Sequence, residues 1–404
     1  MSNLFANTSA SVYNLMKFYR GPIVDQLNEN VDFYRGAEKM KYAWSGEVIR
    51  RPLRVRRNQG VGATSDGGNL PSIGRQTGIQ AEIAAKYNYL RFGLTGPMLK
   101  AAQNDKGSFV RQFDFEMKQG MKDLESELNR QMTWDGTSDL ARVNTTVAAS
   151  TSVVIKGRED SEAALKFLDV GAVVDIYTGS TLVASGIGIS SISSGDANSA
   201  TATVVFDTAV SCTAGDIIVR QGSFGNEVQG VLTQLDGATS TVFGIDRATY
   251  IATQGNVVTM TTQLTLDSLQ QAQNLMERRG GGKLKTIYSD FDSRRYYQKL
   301  LTVDKRYINT VKGDGGFAKS DESYLEWNGC PWVVDKDCPQ RIILLPSDAI
   351  EKAVLCEMEV ADETGTPYIA QAGVDAWEVR IRQFCNMFNS NAAGTALLTG
   401  YTSP

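Results

Sequence analysis

The spacing of apolar residues changes several times along the chain, and each change marks a new element. Val12, Leu15, Met16 and Tyr19 recur at helical spacing until Gly21-Pro22 interrupts them, so residues 1–40 read as a short, partly helical arm. Over 41–57 the period falls to two: Leu53 and Val55 alternate with Arg54 and Arg56, as in a strand with one wet face. The same period returns over 77–94, where Ile79, Ala81, Ile83, Ala85, Tyr87 and Tyr89 share a face. Between the two strands lie Gly60, Gly62, Gly67, Gly68, Gly74 and Pro71, which predict a flexible tip over 58–76. The whole predicts an extended hairpin. Such a hairpin is marginal alone in water, so a neighbouring subunit is expected to cover it.

Residues 105–134 carry the clearest helical stripe. Phe109, Phe113, Met117, Met121, Leu124 and Leu128 recur every three or four residues, with Asp105 or Ser108 as N-cap and Gly136 beyond the end. A helix of that length is roughly 45 Å long. Residues 141–222 then turn rich in Ser, Thr, Val, Ala and Gly. Strands are predicted at 172–178, 182–192, 201–207 and 216–220, which suggests an inserted small β-barrel or sandwich. From 223 onward helix and strand alternate without a regular βαβ series, giving an α+β platform. Its elements are a helix through Leu266, Leu269, Ala272, Leu275 and Met276 ended by Gly280-Gly281-Gly282, a strand at 285–288, and a helix opened by Asp292-Ser293. After the glycine-rich 313–316 come strands at 331–335 and 341–345, a short helix opened by Pro346-Ser347-Asp348, and a long strand at 376–388.

Composition narrows the chemistry. The 404 residues exceed what one core usually serves, so several lobes are expected. There is no histidine, which removes Ser-His-Asp triads, Cys-His proteases, HExxH zincins and mixed Cys/His zinc sites. The five cysteines, Cys212, Cys330, Cys338, Cys356 and Cys385, are odd in number, widely spaced and contain no CxxC pair. They read as reduced thiols in a cytoplasm, most of them buried. No signal peptide and no transmembrane segment is expected. No metal and no cofactor is expected, and the chain does not read as an enzyme.

The motifs that invite chemistry have plainer readings. Gly280-Gly281-Gly282-Lys283 is followed by Leu284 where a phosphate loop needs Ser or Thr, and it lies between helix and strand in the wrong order. A helix cap explains it. Gly186-Ile187-Gly188 has Ser191 where a dinucleotide fingerprint needs its third glycine. The acid pairs Glu125/Glu127 and Asp335/Asp337 are expected on solvated surface. The basic run Arg50, Arg51, Arg54, Arg56 and Arg57, with Arg75 beyond the tip, has two readings. It is an arm that docks on an acidic patch of a neighbouring subunit, the favoured one. Or it is a nucleic-acid ribbon with Tyr42 and Trp44 to stack bases. The net charge of −4 does not favour a general phosphate binder.

The ordered series of arm, long hairpin, long helix and α+β platform resembles the major capsid proteins of tailed double-stranded-DNA phages, the Hong Kong ninety-seven fold. Gly244-Ile245-Asp246-Arg247 is similar to a stretch that follows the long helix in that family. Leu325-Glu326-Trp327-Asn328-Gly329-Cys330-Pro331-Trp332-Val333-Val334-Asp335 resembles its Gly-x-Pro strand near the C-terminal third, followed by the strand and turn of 341–348. The resemblance implies an N-terminal arm (1–40), an extended loop (41–95) and a spine helix of a peripheral domain (96–140). It implies further an inserted β domain (141–222), foreign to the minimal fold, and the rest of the peripheral domain with an axial domain (223–404). It also implies self-assembly into pentamers and hexamers of an icosahedral head that encloses double-stranded DNA without reading its sequence. Scaffolding and portal proteins, and in some members a decoration protein, would be partners. Assembly would take place in the host cytoplasm and the product would be the virion capsid. No large propeptide is expected; some members join subunits by Lys–Asn isopeptide bonds, and no residues of this sequence are assigned to that chemistry. An encapsulin-type compartment of the same fold is the nearest alternative.

Overall fold

The computed structural model describes residues 28, 30–42, 44, 46–97, 112–159, 162–194, 199–235, 241–303, 325–347, 349–362 and 369–403. The arm helix around Val12–Tyr19, the caps Asp105 and Ser108, and the glycine-rich 313–316 lie outside them.

The hairpin forms as its alternation requires. Val48–Arg56 pairs antiparallel with Thr77–Ala84, from Val48 opposite Ala84 to Arg56 opposite Thr77. Pro52 is tolerated because no other described strand pairs with Val48–Arg56. The second strand does not run unbroken to 94. It breaks at Ala85, and Lys86–Thr95 joins a different sheet by pairing with Ala376–Asn389. Ile49, Ala81 and Ile83 pack with Val242, Phe243, Ile245 and Phe388 of the same chain, and Leu53 and Ile79 lie against this core. The expected cover is therefore intramolecular along the paired strands. The Glu82 amide donating to the Phe243 carbonyl (2.9 Å) pins the ribbon there.

The long helix spans Gln112–Thr133. Leu124, Leu128 and Met132 sit in a core shared with Val231, Leu232, Leu235, Ile343, Ile381 and Met387. Gly136 takes a left-handed φ of 76° just beyond the helix.

Residues 141–220 close into a six-stranded barrel in the order Ile217–Arg220, Ala141–Val143, Val147–Lys156, Thr201–Cys212, Thr181–Ser194, Val173–Thr178. Its interior is aliphatic with one aromatic: Val153, Ile155, Val174, Ile176, Ile189, Val204, Phe206 and Ile218. Closure leaves the barrel no open sheet edge. The sequence reading found four of these strands. Ala141–Val143 is too short for a periodic signal, and Val147–Lys156 begins Val-Ala-Ala-Ser-Thr-Ser, small residues that show no apolar–polar alternation.

The remainder builds two sheets. A six-stranded mixed sheet runs Asn256–Thr259, Ala396–Thr399, Ile342–Pro346, Leu284–Ser289, Cys330–Val334, Leu325–Trp327. It shares a core with the helices Leu266–Gly280 and Phe291–Val303 through Leu269, Ala272, Met276 and Tyr297. The first helix opens with a capping box between Thr265 and Ser268 and ends on left-handed Gly281. The second starts earlier than its predicted Asp292-Ser293, because the Asp290 carboxylate accepts the Ser293 amide (3.0 Å). The other sheet joins Glu38–Lys39, Ile350–Val360, Ala376–Asn389, Ile369–Ala370 and Lys86–Thr95. Here the short helix expected after Pro346-Ser347-Asp348 is instead the strand Ile350–Val360. Its Val354, Met358 and Val360 lie against the core and it pairs with Ala376–Asn389, a tertiary contact that local propensity does not register.

Candidate assembly surface

The arginine run is divided by the pleat and by its neighbours. Arg50, Arg54 and Arg56 lie on the wet face of the ribbon, opposite the apolar face. Arg50 pairs with Glu82 across the hairpin (3.1 Å), and Arg54 donates to the Gln76 carboxamide (2.8 Å). Arg56 reaches the Thr249 carbonyl (3.4 Å) and lies 5.6 Å from the Tyr250 ring. Arg51, half-buried, meets Glu351 at 3.4 Å and covers the Tyr42 ring at 4.7 Å. Four of the six arginines thus already have partners within the chain, and Tyr42, offered as a base-stacking residue, carries Arg51 instead. Arg57 and Arg75 flank the tip and are exposed.

The tip is a narrow continuation of the ribbon. A Cβ on Gly60 would stand 2.7 Å from the Gly74 nitrogen, and one on Gly74 would overlap the Gly60 nitrogen. Both positions need glycine because two backbones meet there. The Asn58 carboxamide accepts the Gly60 amide (2.8 Å), and Gly67 turns the chain with φ 72°. Three apolar side chains on this tip stand in water: Val61 and Leu70 at 85% exposure and Ile73 at 103%. The sequence reading gives this segment as a flexible, glycine-rich tip with little apolar content. The signal it passed over was three branched apolar residues in a stretch with no other use for them.

Beneath Val48–Arg56 is a cleft of about 260 Å³, lined by Leu53, Val55, Phe243, Ile245 and Phe388, with Asn389 and Arg247 on its polar side. The Arg247 guanidinium is engaged by the Gln234 and Thr233 carbonyls (2.7 Å each).

Two acid pairs expected on the surface divide differently. Glu125 does pair near the surface, with Arg35 (3.0 Å). Glu127 accepts from Arg130 and from Arg220 (3.2 Å). Burial alone would raise its carboxyl, but the two guanidiniums hold it down to about 2. Asp335 and Asp337 are buried and share one donor, the Asn129 side-chain amide, at 2.9 and 2.7 Å. Asp335 also accepts the Phe33 amide (3.0 Å), so the pair ties the segment around Asp32–Gly36 to the long helix. Burial, with the charge of Asp335 beside it, pushes the Asp337 carboxyl up to about 6. These acids hold structure together and do not oppose one another across an open cleft.

The barrel is fastened by a second polar cluster. The buried Arg158 guanidinium lies over Trp134 (4.0 Å) and Phe167 (4.3 Å) and is gripped by both Glu162 oxygens (2.9 and 2.8 Å). Glu159 meets Arg341 at 2.7 Å.

Gly280 packs so tightly on the Gly394 backbone that a Cβ would overlap it, and Gly186 and Gly188 lie in a barrel strand. All five cysteines are free thiols; Cys212, Cys338 and Cys385 are buried, while Cys330 and Cys356 are half-buried. Among the described residues no group of acids and cysteines is placed to hold a metal ion, and no helix is long and apolar enough to cross a membrane.

The folded chain is similar to the capsid asymmetric unit of cyanophage A-1(L), with a TM-score of 0.61 over 100% of both chains at 12% identity. It is similar also to the capsid of a native GTA particle, with a TM-score of 0.53 over 98% of each chain at 8% identity. The capsid of an empty GTA particle gives a TM-score of 0.53 over 100% of each chain at 8% identity. No protein-family model and no curated protein matches the sequence. Likeness at these identities establishes the fold, an α+β capsid fold of the tailed-phage kind.

Proposed function

We propose that this chain is the shell subunit of a phage-type capsid, assembling into pentamers and hexamers of a closed head that encloses double-stranded DNA. The observation that carries the reading is the full-length likeness to a capsid subunit, at a TM-score of 0.61 with both chains covered end to end. The exposed hairpin tip supports it, since Val61, Leu70 and Ile73 have no cover among the described residues. In this reading the tip and its flanking Arg57 and Arg75 contact a neighbouring copy, while Arg50, Arg51, Arg54 and Arg56 chiefly brace the ribbon. Glycines 60, 62, 67, 68 and 74 let the tip pass close to another backbone. The arm, extended loop, spine helix, inserted β domain and axial domain keep the boundaries implied by the resemblance. Scaffolding, portal and decoration partners belong to the same proposal, as does assembly in a host cytoplasm. The role is structural, with no catalytic step.

Negative-stain electron microscopy of the purified chain, alone and with the products of neighbouring genes, tests it. Closed uniform particles or five- and six-membered rings are the expected result. A monodisperse monomer under every condition would remove the proposal. Nuclease-protected DNA inside the particles separates a phage head from a protein-filled compartment of the same fold.

A further inference from the structure

We propose that the buried acid pair Asp335 and Asp337 is a proton-operated latch, which seats the segment around Asp32–Gly36 on the long helix at low pH and loosens it as pH rises. The device lies within one subunit, so it stands or falls apart from the shell reading.

The hydrogens of Asn129 do not suffice for the oxygens around it. Its side-chain oxygen accepts the Tyr34 amide (2.8 Å), which fixes Nδ2 on the opposite side. Nδ2 carries two hydrogens but faces three carboxylate oxygens: Asp335 Oδ1 (2.9 Å), Asp335 Oδ2 (3.0 Å) and Asp337 Oδ2 (2.7 Å). Asp335 is served besides by two backbone amides, those of Phe33 (3.0 Å) and Asp337 (2.8 Å). Among the described residues the Asp337 carboxylate accepts from Asn129 alone. All three side chains are buried. Two carboxylates gathered on one nitrogen repel, and burial strengthens the repulsion. A proton on Asp337 removes one of the charges and supplies the missing donor.

The surrounding groups leave that role to Asp337. Lys336 donates to Ser126 (2.9 Å) and to the Asn28 carbonyl, and Lys166 to Glu162 (2.9 Å). Their pull on Asp337 is weaker than the effects of burial and of Asp335. In the segment itself Arg35 is taken by Glu125 (3.0 Å), and Asp32 adds a further negative charge. Tyr288 and Cys338, which feel the charge of Asp335, are pushed up by burial and stay neutral. Asp290, beside Cys338, accepts from the Ser293 amide (3.0 Å).

The segment is tied to this cluster by its backbone. The Phe33 and Tyr34 amides end on Asp335 and Asn129, and the chain then joins the platform sheet at Glu38–Lys39. Lifting the segment takes a donor from Asp335 and admits water to the pair, which returns the Asp337 carboxyl from about 6 toward its ordinary 3.8. Between those values the lifted form holds fewer protons than the seated one. Seating is therefore favoured in full near pH 4 and below, and the advantage is lost as pH rises through about 6.

Amide hydrogen exchange on the purified full chain between pH 5 and pH 7.5 tests the latch, each rate divided by its intrinsic value at that pH. Protection of the Phe33 and Tyr34 amides is expected to fall roughly tenfold between pH 5 and pH 7, while amides of Ile342–Pro346 in the platform keep theirs. Asp337→Asn should flatten the dependence. Glu125→Gln, which takes the partner from Arg35, should leave the dependence in place. Protection at Phe33 and Tyr34 that does not vary with pH in the parent would overturn the latch. So would a dependence that persists in Asp337→Asn, one that vanishes in Glu125→Gln, or a fall shared equally by Ile342–Pro346, the mark of global unfolding. The parent and Glu125→Gln decide the matter even where Asp337→Asn folds poorly.

Discussion

At the scale of single residues, Asp337 shows how burial converts a carboxylate into a pH-sensitive contribution to stability. Its carboxyl, ordinarily at 3.8, is pushed up to about 6 by burial and by Asp335. Between those values the folded chain holds a proton that the unfolded chain has released. The stability this one group contributes is therefore fully present near pH 4 and below, and is lost as pH rises through 6. The rise of about two units is worth on the order of 3 kcal/mol at most. Asp337→Asn keeps an acceptor for Asn129 and removes the titration. The variant is expected to match the parent near pH 4 and to be more stable by roughly 2 kcal/mol at pH 7.5, as read from urea unfolding across that range. Asp139, Glu159, Glu227 and Asp290 are also raised by burial, so the slope should shrink without vanishing. An unchanged slope in the variant would assign the titration to those groups instead. Glu127 works in the opposite sense: held down by Arg130 and Arg220, it contributes stability above the ordinary carboxylate range that is lost as pH falls toward about 2.

At the scale of elements, the hairpin separates a part that stabilises the subunit from a part that does not. Its paired strands contribute Ile49, Ala81 and Ile83 to a shared core, while the tip buries no large apolar side chain. Gly74→Val would push the two tip backbones apart where Gly60 and Gly74 meet. The expected outcome is a melting temperature within a few degrees of the parent, about 0.5 kcal/mol or less, because the disturbed backbone lies in the tip, outside every apolar core. Assembly should fail, as scored by sedimentation. A large fall in melting temperature would mean that the tip is part of the folding core. The sequence made the hairpin legible through its period of two, but not the division at Ala85. The same alternation runs through Ala81, Ile83, Ala85, Tyr87 and Tyr89, although the first three are buried and the tyrosines are exposed. Periodicity reports that a strand has two faces; it does not report which partner or core each face meets.

At the scale of the whole molecule, the barrel encloses a core of its own, separate from the platform cores. Replacing residues 141–220 by a short Gly/Ser linker removes that core and the Arg158 and Glu159 contacts, and leaves Trp134 and Arg341 at the surface. The shortened chain is expected to fold with the platform's own transition retained in calorimetry, and the isolated barrel to give a second cooperative transition by itself. A shortened chain that remains unfolded would show that the barrel and platform form one cooperative unit. The Arg158–Trp134 and Glu159–Arg341 contacts hold the two at a fixed orientation in the intact chain.

What the sequence determined by itself was whatever local pattern encodes: the hairpin, the long amphipathic helix, the β-rich insertion, the Gly281 cap and, through the absence of histidine, the exclusion of imidazole chemistry. The ordered elements were enough to imply the capsid fold. Only the tertiary structure decided which charges are spent inside the chain. Arg51 found Glu351 and Asp335 found the Phe33 amide, pairs separated by some three hundred residues. It also decided that Asp337 is buried and that Ile350–Val360 is strand. The reason is common to all of these. Helical and strand periods arise from neighbours along the chain. Burial, ion pairing and sheet partnership arise from residues brought together by folding, and none of these is written in a local pattern.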